Sequence, residues 1–532
     1  MLFAMPAAGL AVKQSVCQRD LIDFRASFSP GDTTRMQPTH ARGVMRRHVM
    51  TPLLGVLLSA CATAPQSQAP TQQATTATAS NTPAPYTSTY RARASQATLI
   101  RGATILTGTG ARIDNGDVLI VDGKIAGVGT QLSAPAGAKV IDAKGRWVTP
   151  GLIDVHSHLG VYPSPDVDAH SDGNEMVDPV TAQAWAEHAV WPQDPGFQAA
   201  LEGGVTTLQI LPGSGNLIGG RGVTLKNVHA TTYQAMKFPG APQGLKMACG
   251  ENPKGYYGEK GQAPMTRMGN VAGYRQAFAD AQAYRDEWDK YRRELAEFEK
   301  KQQGPGKKDE QAKPPSPPKR DLKSETLVGA MNGEIMVHIH CYRADEMAIM
   351  IDLAREFGFQ IAAFHHAVEA YKIADLLAEN GICGAEWADW WGFKMEAFDG
   401  VMENLALTDM PKNGCAVVHS DSAEGIQRLN QEAAKAMTRG VRMGLDISRE
   451  HAMKWLTLNA AKALGIDEVT GTLEAGKMGD VVIWNGDPFS VYALAEQVFI
   501  DGALVYDRAN PPTRPASDFL LGQYDATEGS AQ

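Results

Sequence analysis

Two histidines one residue apart, His156 and His158, are the clearest pair of candidate metal ligands in the chain. They end the run Gly-Leu-Ile-Asp-Val-His-Ser-His at 151–158, whose apolar first half predicts a short buried strand. Side chains two residues apart on a strand point to the same face, so both imidazoles face one point. Neutral imidazoles suit a borderline-soft divalent cation. The pair therefore predicts a metal site, with a purely structural role as the alternative.

More histidines and an aspartate stand at the ends of later predicted strands. His338 and His340 repeat the one-residue spacing and are expected to share a face. His365 and His366 are adjacent, so only one of them should face the same point unless the strand has already ended. Asp421 ends the run Ala-Val-Val-His-Ser-Asp. A single buried histidine is commonly a core residue with its hydrogen bonds satisfied, but this does not easily explain His and Asp residues at the ends of several separate strands.

The elements that must position these groups alternate between strand and helix over residues 150–469. This alternation predicts a parallel sheet, and its length favours a closed (β/α)8 barrel over an open doubly wound sheet. Barrel enzymes carry their chemistry at the carboxyl ends of the strands, which is where the candidates lie. A charged run at 276–323 interrupts the pattern and predicts a solvated helical insert without a catalytic role.

Short β runs flank the barrel on both sides, at 97–149 and 470–508. Each flank contains two strands joined by Asp-Gly, at 122–123 and at 501–502, which is favoured turn chemistry for a hairpin. We therefore expect one small β-sandwich built from both flanks of the chain, with two separate β modules as the alternative. Residues 509–532 are expected to form a tail.

The first part of the chain has the features of an export signal. Arg46 and Arg47 precede a short apolar run, and Leu-Ser-Ala-Cys closes it at Cys61. Segment 45–61 resembles a bacterial lipoprotein signal, in which Cys61 becomes lipidated, and the alternative is an ordinary secretory signal. Met45 is a candidate start, so 1–44 is an extension of uncertain status. Residues 62–96 are polar and predict a flexible tether.

Composition excludes several classes of protein. The chain has 532 residues, of which 43% are hydrophobic, and its formal net charge is −9, which argues against nucleic acid as a partner. Its six cysteines form no C-x-x-C pair, so we expect neither a disulfide framework nor a structural zinc site. No other segment is long and apolar enough to cross a bilayer.

The order of these motifs resembles the amidohydrolase superfamily over roughly residues 97–508, in particular members related to imidazolonepropionase and to metal-dependent dipeptidases. Besides the His-x-His run, the resemblance rests on Asn-Ala-Ala-Lys-Ala-Leu-Gly at 459–465 and on 471–480. It implies a divalent metal, expected to be zinc, as one or two ions. The ligands that it implies are His156, His158, His338, His366 and Asp421.

The residue that would bridge two ions is left open. Many relatives with two metals use a carboxylated lysine from a middle strand, and others use a glutamate. Two residues of this chain are candidates, Glu251 and Lys226. Glu251 is preferred because it is an anion without modification and stands beside glycine and proline at an apparent strand end. Lys226 is the alternative, and the choice decides whether one or two ions bind.

The resemblance also implies a mechanism. Asp421 is expected to take the proton of a metal-activated water and return it to the leaving group. His340 is the second catalytic candidate, either as a stabiliser of the oxyanion or as a partner that orients His338. Arg343 is a candidate for pairing with a substrate carboxylate, and Trp391 for lining the substrate pocket, with surface exposure and packing as the respective alternatives.

These expectations define a metal-dependent hydrolase of C–N bonds in amides, peptides or cyclic amides. A deaminase of a heterocycle on the same ligand set is the alternative, and a non-catalytic ligand-binding lipoprotein is a third possibility. The expected partner is a small-molecule substrate, with no nucleic acid and with membrane contact only through the lipid anchor. The expected location is the periplasmic face of a bacterial membrane, most simply the outer one, and the choice between monomer and homo-oligomer stays open.

Overall fold

A computed structural model describes residues 86–164, 166–303 and 313–511. The signal at 45–61 with Cys61, most of the tether and the end of the tail lie outside the described residues. None of the described helices combines the length and the apolar character that crossing a membrane requires.

The strands are β1 Thr98–Leu106, β2 Arg112–Val121, β3 Lys124–Gly129, β4 Lys139–Asp142, β5 Trp147–Pro150, β6 Leu152–Ser157, β7 Val205–Ile210, β8 Ile218–Lys226, β9 Gln243–Ala248, β10 Ile335–His340, β11 Ile361–His365, β12 Cys383–Glu386, β13 Ala416–Val418, β14 Val481–Trp484, β15 Ala495–Ile500 and β16 Ala503–Asp507. The helices are α1 Pro195–Glu202, α2 Glu251–Gly258, α3 Arg267–Gln303, α4 Leu322–Met331, α5 Ala344–Phe357, α6 Ala374–Glu379, α7 Asn404–Thr408, α8 Leu429–Met443, α9 Arg449–Ala452 and α10 Leu458–Ala463, with short 3-10 turns between them.

The central element is an eight-stranded sheet in the order of the chain, from β6 to β13. Its strands alternate between two faces, as in β10, where Val337 and Ile339 pack outward against helices while His338 and His340 point inward. The expected mixed α/β fold is confirmed, and the sheet is a nearly closed barrel. The two end strands, β13 and β6, are linked by the backbone amide of Asp421, which donates to the His156 carbonyl at 3.0 Å.

One strand departs from the all-parallel barrel that the alternation predicted. β8 runs antiparallel to both β7 and β9, whereas the other neighbouring strands are parallel. The connection from β7 to β8 covers only residues 211–217, which is too short for a crossover helix. The carboxyl end of β8 therefore lies at the end of the barrel opposite the His-x-His pair.

Both flanks of the chain join in a second sheet, in the order β16-β15-β14-β5-β1-β2-β3, with β4 also paired to β1. The two predicted hairpins are present. Asp122 and Gly123 turn from β2 to β3, and Asp501 and Gly502 turn from β15 to β16, all four with positive φ as a type I′ turn requires. The flanks thus form one continuous sheet, and its division into a two-layered sandwich stays a prediction.

The charged insert forms helix α3, which begins at Arg267, before the predicted boundary. Only its first part is buried, through Tyr274, Phe278 and Ala281 against the outer face of the barrel. Residues 313–321 lead back to α4. The last part of the segment predicted to be a tether contacts the folded chain, because the Thr89 amide donates to the Gln234 carbonyl at 2.9 Å.

Four of the six cysteines form disulfides, which corrects the expectation of none. Cys249 pairs with Cys341, and Cys383 pairs with Cys415. Each pair joins two neighbouring strands at or next to their ends, β9 to β10 and β12 to β13, across separations of 92 and 32 residues. Spacing along the chain could not show this, because strand adjacency decides which cysteines meet.

Candidate metal centre

Three of the predicted ligands meet at the carboxyl ends of β6 and β13. The Nε2 atoms of His156 and His158 lie 3.3 Å apart. Asp421 Oδ1 lies 3.1 Å from Nε2 of His158 and 3.4 Å from Nε2 of His156. All three ligand atoms fall within 4.8 Å of one another, a spacing that suits a single cation.

The tautomer of His158 is set by its second nitrogen. Nδ1 of His158 lies 2.8 Å from the carbonyl oxygen of Leu211, which can only accept a hydrogen bond. Nδ1 therefore carries the proton, and the lone pair of Nε2 faces Asp421 and His156. A ligating histidine oriented by a backbone carbonyl is the usual arrangement at protein metal sites.

Asp154 holds together the two strand ends that carry these ligands. Its Oδ1 accepts from the amides of His156, at 3.1 Å, and of Ser420, at 3.2 Å. The Ser420 hydroxyl donates to Oδ2 of the same carboxylate. Asp154 is fully buried, and burial raises its pKa to about 7, against the lowering effect of these hydrogen bonds. The carboxylate is thus a clasp between β6 and β13.

A second group of possible ligands consists of His156, His366 and His419, again with atoms within 4.8 Å. His366 follows the end of β11 with φ of 60°, a left-handed conformation that is unusual for a residue other than glycine. This turn lets His365 and His366 both face the cluster. The strand has thus ended at His365, which is the exception that the sequence analysis allowed to the expectation that only one of the two histidines faces this point.

His338 belongs to neither of these two groups of possible ligands. Its Nδ1 is 2.9 Å from Nε2 of His365, and Nδ1 of His365 is 2.9 Å from Nδ1 of His156. Gln209 lies beyond, with Nε2 3.3 Å from Nε2 of His338. In this arrangement His338 and His365 form a hydrogen-bonded chain behind His156, and the role of His338 as a ligand stays a prediction.

His340 lies beside His366 and Tyr342, and its catalytic role stays a prediction. Its ring centroid lies 4.7 Å from that of His366 and 4.7 Å from that of Tyr342. The side chain is buried, yet neither ring nitrogen has a hydrogen-bond partner among the described residues. Leaving such atoms unpaired is costly, so His340 is a group that a ligand would complete.

Lys246 of β9 is a member of the cluster that the sequence analysis missed. Its Nζ lies 3.4 Å from Nε2 of His156 and donates to the Pro212 carbonyl at 3.0 Å. The side chain is fully buried, which lowers its pKa to about 8 against the opposing charge of Asp421. The available signal was a lysine between Gly244 and Ala248 in an otherwise apolar strand.

Neither residue considered for the bridging position belongs to the cluster. Lys226 ends the antiparallel strand β8, so it lies at the opposite end of the barrel, where its Nζ contacts Asp501 at 2.9 Å and Asp480 at 3.3 Å. Glu251 begins α2, and its carboxylate faces Lys394 at 3.6 Å. Both placements correct the sequence-based expectation, which did not include the reversed direction of β8 or the start of α2 at Glu251.

The two predicted substrate contacts are also placed differently. Arg343 forms two hydrogen bonds with Asp345, at 2.9 and 2.8 Å, at the start of α5, so its guanidinium is already engaged. Trp391 packs against Trp387 and Gly400 in a small cluster that favours the packing alternative. Trp387 instead reaches the centre, because its ring stacks on His366 with centroids 4.3 Å apart.

The electrostatics favour neutral imidazoles beside an ionised acid. Burial lowers the pKa of His419 to about 3 and lowers those of His156 and His366 well below the ordinary value. Burial acts to raise the pKa of Asp421, but the neighbouring side chains of His158, His419 and Lys246 lower it overall. Neutral nitrogens and a carboxylate are the donor set that a divalent ion requires, and Nδ1 of buried His366 has no partner among the described residues.

Comparison with known proteins agrees with this fold. The amidohydrolase family pattern matches residues 147–507. The chain is 34% identical to an amidohydrolase of Thermotoga maritima MSB8 of known structure, with a TM-score of 0.67, and the match covers 77% of this chain and 100% of that one. The chain belongs to the amidohydrolase family.

Individual relatives carry different names. The chain is 33% identical to "Amidohydrolase tasK" of Hapsidospora irregularis over 74% of its own length, but the match spans only 40% of that protein. It is 24% identical to an imidazolonepropionase of Mesorhizobium japonicum over 70% of this chain and 87% of the relative. A dihydroorotase of Pelotomaculum thermopropionicum is 51% identical over only 61 residues, 12% of this chain and 14% of that protein. The family supports a hydrolase of C–N bonds and leaves the substrate open.

Proposed function

We propose that this protein is a metal-dependent hydrolase of amide, peptide or cyclic amide bonds. The observation that carries the proposal is the position of Asp421, within 3.4 Å of the Nε2 atoms of both His156 and His158. A carboxylate so close to two neutral imidazoles can serve both as a ligand and as an acceptor for the proton of an attacking water.

The chemistry divides between the ion and the side chains. A bound divalent ion, zinc in this proposal, acidifies water and polarises a carbonyl group. Asp421 accepts the proton as the water attacks the carbonyl carbon, and returns it to the leaving nitrogen when the C–N bond breaks. His340, whose ring nitrogens are unpaired, donates a hydrogen bond to the developing oxyanion.

Lys246 is proposed for the bridging position in place of Lys226 and Glu251. Its burial favours the neutral amine, which attacks carbon dioxide, forms a C–N bond and releases a proton to give a carbamate. The contact between its Nζ and His156 supports this carbamate as the anionic group that would help the histidines to hold two ions. Replacement of Lys246 by methionine is expected to lower the metal content by one equivalent per chain.

The test combines metal analysis with a substrate screen. Purified protein is expected to contain zinc and to hydrolyse members of a panel of dipeptides, N-acyl amino acids and lactams. Asp421→Asn should lose about 10²–10⁴-fold in turnover, the usual contribution of a positioned acid–base group. The matched control is Asp352→Asn, an exposed carboxylate on α5 that should leave turnover unchanged.

Three results would contradict the proposal. Unchanged turnover in Asp421→Asn would remove the proposed mechanism. Release of ammonia from purines or pyrimidines, with no cleavage of the panel, would favour the deaminase. A protein that neither contains nor takes up divalent metal would favour a non-catalytic binding role.

We also propose that the protein is exported and lipid-anchored through Cys61, at the periplasmic face of the outer membrane. Two disulfides within the barrel support an oxidising compartment. Mass spectrometry of the membrane fraction should find lipid on Cys61, and Cys61→Ser should release the protein in soluble form. An unmodified Cys61 on a soluble wild-type protein would contradict the anchor.

A further inference from the structure

A loop between β12 and α7, residues 387–403, lies across the mouth of the barrel. It is fixed to the segment after β9, because the Glu396 carboxylate accepts from the Glu251 amide at 3.0 Å with both oxygens. Arg267 at the start of α3 also contacts Glu396. The start of the loop is held by Trp387, which stacks on His366. The loop therefore presents its side chains to the metal centre in a defined position.

Lys394 of this loop lies on the far side of the Tyr342 ring from His340. Its Nζ donates to Oδ1 of Asn252 at 2.5 Å and lies 5.2 Å from the centre of the Tyr342 ring. That ring in turn contacts the ring of His340. The Lys394 charge also acts on His340, since it contributes, after burial, to the low pKa of that imidazole. The Tyr342 ring thus lies between the Lys394 ammonium group and His340, the proposed hydrogen-bond donor to the oxyanion.

The ammonium of Lys394 retains capacity for an anion. It has three donors, of which one is used by Asn252 and another faces Glu251 at 3.6 Å, which is long for a hydrogen bond. Its side chain is 23% exposed, so a ligand can reach it while water is partly excluded.

Two arginines near this loop, Arg267 and Arg343, already pair with carboxylates. Arg267 is shared between Glu346 and Glu396, and Arg343 is held by both oxygens of Asp345. A substrate carboxylate would have to displace these carboxylates to bind either arginine. Lys394 is the better candidate cation of the mouth for a ligand.

We infer that Lys394 binds a carboxylate of the substrate, so that the substrates are N-acyl amino acids or dipeptides with a free carboxylate beside the scissile C–N bond. This inference rests on the proposed hydrolase function. His340 then faces the scissile carbonyl, while Tyr342 and Trp387 supply apolar surface for a side chain. The subsite takes over the role that the sequence analysis gave to Arg343.

The test compares N-acetyl-L-leucine with N-acetyl-L-leucinamide. The first has the carboxylate that Lys394 would bind, and the second has an uncharged amide in its place. Where the zinc-loaded full-length protein cleaves these compounds, KM and kcat are measured for hydrolysis of the acetyl amide bond. Where it does not cleave them, equilibrium binding is measured by calorimetry. The wild type should prefer the acid by about tenfold to a hundredfold, the range expected for one charge-assisted hydrogen bond. Lys394→Gln should lose that preference through KM and the dissociation constant, and Lys394→Arg should retain part of it. Lys300→Gln on the exposed end of α3 makes the same chemical change far from the mouth and should keep the wild-type preference.

The outcomes separate the subsite from the proposed function. Equal binding of acid and amide by the wild type, undetectable binding of both, or an unchanged preference in Lys394→Gln would each overturn the inference. Cleavage of amides without a preference for the acid would overturn the subsite and leave the hydrolase function standing. A preference in binding that Lys394→Gln abolishes, without any turnover by the wild type, would support the subsite and overturn the hydrolase function.

Discussion

Replacement of Lys226 by methionine tests whether this lysine is structural or a metal-bridging group. The Lys226 ammonium is fully buried between two carboxylates, at 2.9 Å from Asp501 and 3.3 Å from Asp480. Methionine keeps most of the stem that packs beside Phe238 and Tyr90 but removes the charge. Two buried carboxylates would then face each other without a cation.

The expected cost follows from what remains of the network. Breaking a buried ion pair by removing one partner costs about 3–5 kcal/mol. The lower end is expected, about 3 kcal/mol, because Asp480 still accepts from Thr470 and from the Asp501 amide, and Asp501 still accepts from Tyr90. Adding Asp501→Asn to Lys226→Met should recover part of the loss, since one unpaired charge is removed.

The assay pairs chemical denaturation with metal analysis. Lys226→Met should lower the free energy of unfolding by the stated amount while metal content and turnover per folded molecule stay at the wild-type level. Lys412→Met, at an exposed lysine, is the control for the loss of charge alone. Loss of one metal equivalent with unchanged stability would refute the placement of Lys226 and restore it as the bridging residue.

Three further predictions concern the barrel. Burial raises the pKa of Glu386 well above its usual range, so its contribution to stability is present below the pKa of this glutamate in the unfolded chain and is lost as the pH rises. Glu386→Gln should remove this pH dependence and stabilise the protein by about 1–3 kcal/mol at pH 8. A difference in the free energy of unfolding between wild type and variant that stays constant from pH 5 to pH 8 would show the idea to be wrong. Asp154→Ala removes the clasp between β6 and β13 and should weaken zinc binding by about 10- to 100-fold in competition with a chelating dye; unchanged affinity would mean that the clasp does not position the ligands. Removal of zinc by a chelator should abolish turnover, and adding zinc back should restore it. If free zinc starts about 1,000-fold above the dissociation constant, its removal should lower the free energy of unfolding by about 4 kcal/mol. A thermal transition that does not move on chelation would contradict a metal site in the folded state.

Local patterns were sufficient for much of the barrel and of its mouth. The period-2 pattern of β10 and the His-x-His run of β6 predicted both the strands and the direction of their histidines, because one-residue spacing on a strand has only one geometric reading. The Asp-Gly pairs predicted both hairpins for the same reason: the turn that they favour is local.

The errors occur where a contact depends on the path of the chain. The direction of β8 decides that Lys226 lies far from the cluster and that Lys246, on the next strand, lies within it. The direction of His366 stayed conditional in the sequence analysis, because the turn there depends on a single backbone dihedral angle that the sequence does not specify. The disulfides likewise follow from strand adjacency.

The central claim is that His156, His158 and Asp421 hold a divalent ion together at the mouth of the barrel. The most direct measurement is anomalous diffraction at the zinc absorption edge from crystals of the metal-loaded protein. A peak within coordination distance of the two Nε2 atoms and the Asp421 carboxylate is the predicted result. Density confined to another part of the molecule, or three side chains that bind no ion under saturating zinc, would contradict the account.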